Sequence, residues 1–388
     1  MTYLPLSGVR VLEWARDRPG PLTARKLADM GADVVKVLDV SRREIDALTA
    51  GHALTGGTRV SPVLDRNKRS IFLDFTDQSD RATLMALTES ADVIVEGTRP
   101  GAFTARTGVD FHGLRRAKPS IVICSVSGFG QTGPLANLAA HGTNMDALAG
   151  VLPLEQANGH WAYSETCNLT WTIELGMLHA VGAILAALYS ARATGEGAWI
   201  DLSCWDAAIE ANRRSLTLAL NDDPPQDTRR MGPHASVYDA KDGRPVVLSA
   251  IIRKFWDRLC EALERPDLAD RWRESFSGDE TLRPELQAIF ATRTAAEWND
   301  FFLEHDIAGS NTLTKDELLG HPHFEGRGMV ARSASGDQRL IADAIRWMDD
   351  GSRPGYGFEP THAPGADTEA VLTQWLGATA PGASRPGA

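Results

Sequence analysis

Cysteine is scarce in this chain: four occur in 388 residues, Cys124, Cys167, Cys204 and Cys260. No two form a C-x-x-C pair, which argues against a zinc ribbon or a dithiol redox centre and suits a reducing cytoplasm. A basic surplus is also missing. The formal net charge is −11, so a general nucleic-acid binder is not expected, and any anionic ligand must be met by local cations set into an acidic background. No apolar run reaches the ~20 residues of a membrane span. The longest, Met177 to Tyr189, carries His179 and reads as a buried helix. The opening Met1-Thr2-Tyr3-Leu4-Pro5 has no basic region followed by an apolar one, so it does not read as a signal peptide. There is no G-x-S-x-G elbow. His321-x-His323 has no convincing third ligand, so no metal is expected.

The composition, 43% apolar and 23% charged, is that of a globular protein. A chain of this length exceeds one simple core, so a large domain plus a smaller one is the default. Val9 to Trp14 reads as a strand, Pro21 to Met30 as a helix stopped by Gly31, and Asp33 to Leu38 as a second strand. The alternation continues through a strand at Ser70 to Phe75, a helix at Asp80 to Ser90, and strands at Val93 to Val95 and Ser120 to Val126. This βαβ rhythm predicts a parallel sheet covered by helices. A long helix follows over Ile173 to Arg192, then a short strand from Trp199 to Leu202 and more helix from Trp205. Pro224-Pro225 marks a candidate linker. Beyond it, Ser236 to Ile252 holds two strand-like runs around the turn Asp242-Gly243. Helical segments then cover Lys254 to Leu263, Pro284 to Thr292 and Ala295 to Glu304. The expected division is a large domain from 1–222, a small α+β domain from 223–328, a return to the large domain over 329–377 and a disordered tail from 378–388.

Gly128-Phe129-Gly130-Gln131-Thr132-Gly133 follows a strand and matches G-x-G-x-x-G. The pattern alone is a weak dinucleotide sign, and Pro134 does not fit a fingerprint that runs straight into a helix. The plain reading is a glycine-rich turn at a strand end. In a parallel sheet such a turn borders the ligand crevice, where its N–H groups could meet an anionic or carbonyl oxygen.

Several further blocks carry a resemblance. They are Pro5 to Glu13, Gly20-Pro21, Leu27 to Val37, Asn67 to Ser70, Arg99-Pro100-Gly101, Ser127 to Pro134, Asn168 to Met177, Thr194 to Gly197 and His321 to Gly328. In this order they resemble the family III coenzyme A transferases and α-methylacyl-CoA racemases, the CaiB/BaiF family. The resemblance implies a Rossmann-like large domain, a smaller domain, and an interlocked homodimer. It also implies an acyl-CoA substrate with, in the transferase branch, a carboxylic acid acceptor. No cofactor is implied beyond coenzyme A as the substrate thioester. Arg66, Lys68, Arg69 and Arg99, with Gly128 and Gly130, become candidates for binding CoA. Guanidinium groups take phosphate oxygens bidentately, although each of these cations is as readily a solvated surface charge.

Ala140 to Gly150 resembles the racemase branch, which places a catalytic histidine at His141. Histidine titrates near neutrality and suits proton transfer. Asn168 also matches a racemase-branch residue. The family's catalytic aspartate falls at Thr172, four residues before Gly176. An alcohol neither takes nor releases a proton readily near neutral pH, and as a nucleophile it would give an ordinary ester rather than a mixed anhydride. Thr172 therefore reads as a helix N-cap, or as a hydrogen-bond donor that joins the helix N-terminus in holding a thioester oxygen. A supporting glutamate of the racemase branch falls at Ile252. Asp146, Glu165 and Glu174 lie near enough to be weighed as substitute carboxylates, Glu165 first because it precedes the helix on a loop. Three functions stay open: CoA transfer at a rearranged site, racemase-like α-proton chemistry through His141, and silent binding of a CoA ester.

Overall fold

The computed structural model describes residues 3–16, 18–40, 60–157, 159–164, 170–221, 232–276 and 281–377. The chain divides into two compact units, one from residues up to Leu216 together with those from Gly328 onward, the other Thr217–Arg327.

The first unit is built on a six-stranded parallel sheet. Strand β1 (Arg10–Trp14) leads into helix α1 (Pro19–Asp29), with proline in its first turn where the missing N–H has no partner to lose. Strands β2 (Asp33–Asp39) and β3 (Lys68–Leu73) come next. Helix α2 (Gln78–Ser90) starts where the Asp77 carboxylate accepts from the N–H groups of Ser79 and Asp80, and it leads to β4 (Val93–Glu96). Strand β5 (Val122–Ser127) precedes helix α3 (Gly142–Leu148). A separate antiparallel ribbon of β6 (Leu154–Ala157) and β7 (His160–Tyr163) follows, then the long helix α4 (Trp171–Thr194) and β8 (Trp199–Ser203). The sheet order is β3-β2-β1-β4-β5-β8. The chain therefore leaves β1 towards one edge and returns at β4 to build the other, which makes the β1–β4 gap the topological switch point.

Both faces of the sheet are covered, so its strands read as near-continuous apolar runs. Val11, Val34, Val93 and Val122 face α1 and α4, packing on Leu27, Ile173, Ala180 and Ile184. Leu12, Val35, Ile94 and Ile123 face the other way, onto Leu84 and Leu87 of α2, Phe103, Phe111, and Val371, Leu372 and Trp375 of the last helix, Thr368–Leu376. α4 is long and apolar enough to cross a membrane. Its buried side, however, belongs to this core, and Gly176 lets it approach Cys204 so closely that a Cβ would lie 2.6 Å from the Sγ atom. A small sheet of β12 (Val330–Ser333), β13 (Arg339–Ile341) and β14 (Gly357–Phe358) completes the unit.

The second unit has a three-stranded antiparallel sheet of β9 (Ala235–Asp239), β10 (Pro245–Ser249) and β11 (Gly309–Asn311). Gly243, at φ +72°, allows the turn between the first two. Its core gathers Trp256, Phe290 and Trp298 from the helices Arg253–Ala262, Leu282–Phe290 and Ala295–Glu304. Both indoles are buried yet satisfied, donating to the carbonyls of Leu268 and Phe290 at 2.9 and 2.8 Å.

The mixed α/β architecture with a parallel sheet is the one expected from the βαβ rhythm. Boundaries moved. The strand expected at Ser70 to Phe75 lies two residues earlier, because Asn67 turns the chain at φ +62° and Lys68 already pairs with Val34. The Pro224-Pro225 linker and the tail from Ala378 lie outside the described residues.

Candidate functional site

Loops leaving the carboxyl ends of β1, β4 and β5 surround a cavity of about 610 Å³ at the switch point. Trp14 ends β1 and Arg16 and Arg18 follow it, Gly97, Thr98 and Arg99 follow β4, and Ser127 ends β5 with Gly128 and Phe129 after it. His141 and Met145 enter from α3 and its cap, and Thr170 and Ile173 from the start of α4. Among the described residues, the lining holds three arginines and one histidine and no carboxylate. Such a surface favours an anionic ligand and offers a single side chain suited to proton transfer near neutrality.

His141 is exposed and immediately precedes α3, and its backbone N–H donates to Asn144 Oδ1 at 3.1 Å. Arg99 is exposed, and one of its guanidinium nitrogens donates to the Asn137 carbonyl at 3.3 Å. Gly128 is needed where it stands, since a Cβ there would lie 2.9 Å from Met145 Sδ. These three expected residues, His141, Arg99 and Gly128, are brought together. Gly130, at φ +82°, lies beside the Asp201 carboxylate. The N–H of Gln131 donates to both Asp201 oxygens, at 2.9 and 3.0 Å. This part of the loop is anchored to β8, and that N–H is not presented to a ligand as the sequence reading had it.

The other expected cations lie elsewhere, already neutralised. Arg66 is buried and donates from two nitrogens to Asp29 at 3.0 and 2.8 Å. Lys68 is buried against Glu13 at 2.7 Å and Asp65 at 3.1 Å. Arg69 grips both oxygens of Asp33 at 2.7 and 2.6 Å. Each of these three, expected to bind phosphate, has an internal carboxylate that a phosphate would have to displace.

Thr172 also departs from expectation. The N-cap of α4 is Thr170, and Thr172 lies inside the first turn, fully buried. Its hydroxyl donates to Asp146 Oδ1 at 2.7 Å and its N–H to the same oxygen at 2.9 Å, while the Trp171 N–H reaches Asp146 Oδ2 at 3.2 Å. Asp146 thus caps α4 from the neighbouring helix, where a negative charge meets the positive helix end. Neither reading of Thr172 survives: it is not the cap, and its hydroxyl together with the N–H groups of Trp171 and Thr172 is taken up by Asp146. Neither Thr172 nor Asp146 lines the cavity. Glu174 pairs with Arg18 at 3.5 Å on the surface. Glu165 and Asn168 lie outside the described residues. Ile252 precedes helix Arg253–Ala262 in the second unit and is exposed.

Among the described residues, thiol nucleophiles find no support. Cys124 and Cys204 are buried, and burial pushes the Cys204 thiol up to about 12, which keeps it protonated and inert. The sequence reading missed Arg16, Arg18 and Thr98. Their signal was positional: they lie just past the ends of the two strands that flank the switch point.

Against proteins already known, residues 6–360 match the family described as CoA-transferase family III. A succinyl-CoA:mesaconate CoA-transferase of Haloarcula marismortui is 30% identical over 357 residues, covering 87% of this chain and 88% of that protein. The human α-methylacyl-CoA racemase is 29% identical over 353 residues, covering 86% and 84%. Among solved structures, the Rv3272 protein of Mycobacterium tuberculosis superposes with a TM-score of 0.79 at 22% identity, over 96% of this chain and 99% of that one. A CaiB/BaiF family protein of Brucella suis gives 0.75 at 23% identity, over 96% and 99%.

Proposed function

The chain belongs to CoA-transferase family III, and from that premise we propose that the switch-point cavity takes a coenzyme A thioester whose α-proton is removed by His141. At family level the activity is CoA transfer or chemistry on a CoA thioester. The observation that favours proton chemistry is the cavity lining, with Arg16, Arg18, Arg99 and His141 and, among the described residues, no carboxylate. Arginines suit the phosphates of CoA. An imidazole beside a bound thioester can take the α-proton, leaving an enolate whose charge sits on the thioester oxygen. Thr172 is no substitute nucleophile in this arrangement, because its hydroxyl is buried and donated to Asp146. Coenzyme A enters as part of the substrate, and the working form is taken to be a homodimer in the cytoplasm.

A second reading, CoA transfer between carboxylic acids, is favoured by relatives such as the Haloarcula protein. It needs a carboxylate in the cavity to form the mixed anhydride, and Glu165 is the first to examine. The test is mass spectrometry of the protein with a panel of acyl-CoAs and free acids in D₂O. Deuterium at the α-carbon, lost in His141→Ala, is the expected result. CoA appearing on a new acid, with no exchange, would overturn it in favour of transfer, and neither product across the panel would leave a silent binder.

A further inference from the structure

Proton chemistry that inverts an α-carbon needs one group to remove the proton and another to return one on the other face. His141 is a single group, and one buried acid beside the cavity has no role so far. Glu96 ends β4 and is 2% exposed. Its Oε2 accepts from the Thr98 N–H at 2.8 Å and from the Thr98 hydroxyl at 2.6 Å. Ser125, its register partner on β5, supplies a further hydrogen bond. Because Trp199 Nε1 donates to Ser125 Oγ at 3.1 Å, the Ser125 hydroxyl proton is left to point at Glu96. Thr98 lines the main cavity, and it also lines a smaller one of about 310 Å³ bordered by Glu96 itself. A hydrogen-bonded route therefore runs from the cavity wall to a buried carboxyl group.

We propose that Glu96, working through the Thr98 hydroxyl, is the second proton-handling group of the cavity. This rests on the acyl-CoA reading above. His141 takes the α-proton, and the C–H electron pair passes into the enolate. When Glu96 carries a proton, the Thr98–Glu96 hydrogen bond runs the other way, with the carboxyl donating to the Thr98 oxygen and the hydroxyl proton turned to the cavity. As the enolate collapses, that hydroxyl gives its proton to the α-carbon while Glu96 gives its own to the Thr98 oxygen, so that no free alkoxide forms. The protein is left with imidazolium at His141 and carboxylate at Glu96, and exchange with water resets both. Thr98 is the group that would touch substrate, and Glu96 is a positioning and proton-supplying residue behind it. Burial holds the Glu96 carboxyl above the usual carboxylate range, with Asp201 on β8 adding to this. Cys124 on β5, in register with Val95 of β4, projects to the opposite face of the sheet, and burial together with the nearby Glu96 charge pushes its thiol up, so it stays neutral. Arg99, on the same loop, is exposed.

Two measurements decide the matter. In the first, separate epimers of an acyl-CoA with a stereogenic α-carbon are incubated in D₂O, and interconversion is compared with deuterium wash-in. The ratio of interconversion to wash-in is expected to fall about a hundredfold in Glu96→Gln and in Thr98→Val, and Thr98→Ser should recover most of what Thr98→Val loses. A defect of folding alone would lower both rates and leave the ratio unchanged. In the second, an infrared pH titration of the ligand-free protein follows the carboxyl band removed by Glu96→Gln. That band should persist above the ordinary carboxylate range and move in Thr98→Val. An unchanged ratio, or a Glu96 that titrates as an ordinary surface acid, overturns the proposal. If wild type shows no wash-in while the band behaves as expected, the acyl-CoA reading falls and the Glu96–Thr98 pairing stands.

Discussion

Two groups of basic side chains in the first unit meet opposite fates. Arg66, Lys68 and Arg69 flank the start of β3, and each is neutralised by a carboxylate from a neighbouring element. Arg16, Arg18 and Arg99 lie past the carboxyl ends of β1 and β4, around a cavity with no carboxylate among its described residues. The residue types are nearly the same, and what differs is burial: Arg66 and Lys68 are buried, whereas Arg16, Arg99 and Arg18, the last paired with Glu174 at 3.5 Å, are exposed. A buried cation without an acid is prohibitively costly, so Arg66 and Lys68 survive only as ion pairs, while the half-buried Arg69 is held by Asp33. A cation at a solvated crevice keeps its charge available to a ligand. Position relative to the switch point, rather than charge count, separates structural from ligand-facing arginines here.

The sharpest way to break this contrast is Asp29→Ala. Asp29 is 1% exposed and accepts from Arg66, from Arg25 at 3.0 Å and from Asn67 at 2.8 Å. Removing it leaves the buried Arg66 without its partner, and the expected cost is about 3–5 kcal/mol by urea denaturation. A loss below about 1 kcal/mol would mean that the pair is solvated and the contrast false.

Next comes Thr172→Asp. The Thr172 hydroxyl lies 2.7 Å from Asp146 Oδ1, so the new carboxylate would meet an old one in a buried place. Two such groups cannot both ionise, and the pair's proton affinity rises above that of the unfolded chain. The folded form then binds more protons than the unfolded one over that window. Relative to wild type, stability is kept at acid pH and lost, by roughly 2–3 kcal/mol, as pH rises through the raised value. Adding Asp146→Asn should recover most of the loss at neutral pH. Equal stability of Thr172→Asp and wild type at pH 5 and pH 8 would show that the two carboxylates do not meet.

Arg99→Ala probes the other side of the contrast. It should change stability by less than about 0.5 kcal/mol, as exposed substitutions do. It should raise KM for an acyl-CoA about tenfold, which corresponds to about 1.4 kcal/mol of lost phosphate contact. Unchanged KM across several acyl-CoAs would remove Arg99 from the ligand-facing group.

Much of the fold was legible because period carries it. Alternating strand and helix patterns announced the parallel sheet, and Asp242-Gly243 announced the β9–β10 turn. The site was legible only where a side chain enters the cavity from its own segment, as His141 does. It was hidden wherever a partner comes from far along the chain. Asp146 reaches Thr172 across 26 residues and Asp29 reaches Arg66 across 37, and no local pattern records either distance. The cap of α4 was misplaced for a narrower reason: Thr170 and Thr172 are equally good caps by type, and the cap went to Thr170 because the helix starts at Trp171.

The smallest expected effect concerns an acid that belongs to neither group of cations. Glu96 has no cation among the causes that set its proton affinity, and burial, the largest of them, holds its carboxyl above the usual range. Between the ordinary value and the raised one, the folded protein holds a proton that the unfolded chain releases. Stability from this group is therefore present at acid pH and declines as pH rises through that window. Glutamine in its place carries no such dependence. Glu96→Gln should match wild type more closely at acid pH and gain on it as pH rises through that window. Parallel stability curves for the two proteins would mean that the donors from Thr98 and Ser125 hold Glu96 as an ordinary carboxylate. In that case the crevice would be tuned by arginines and hydrogen bonds alone, and a buried acid at a strand end would be no sign of proton chemistry.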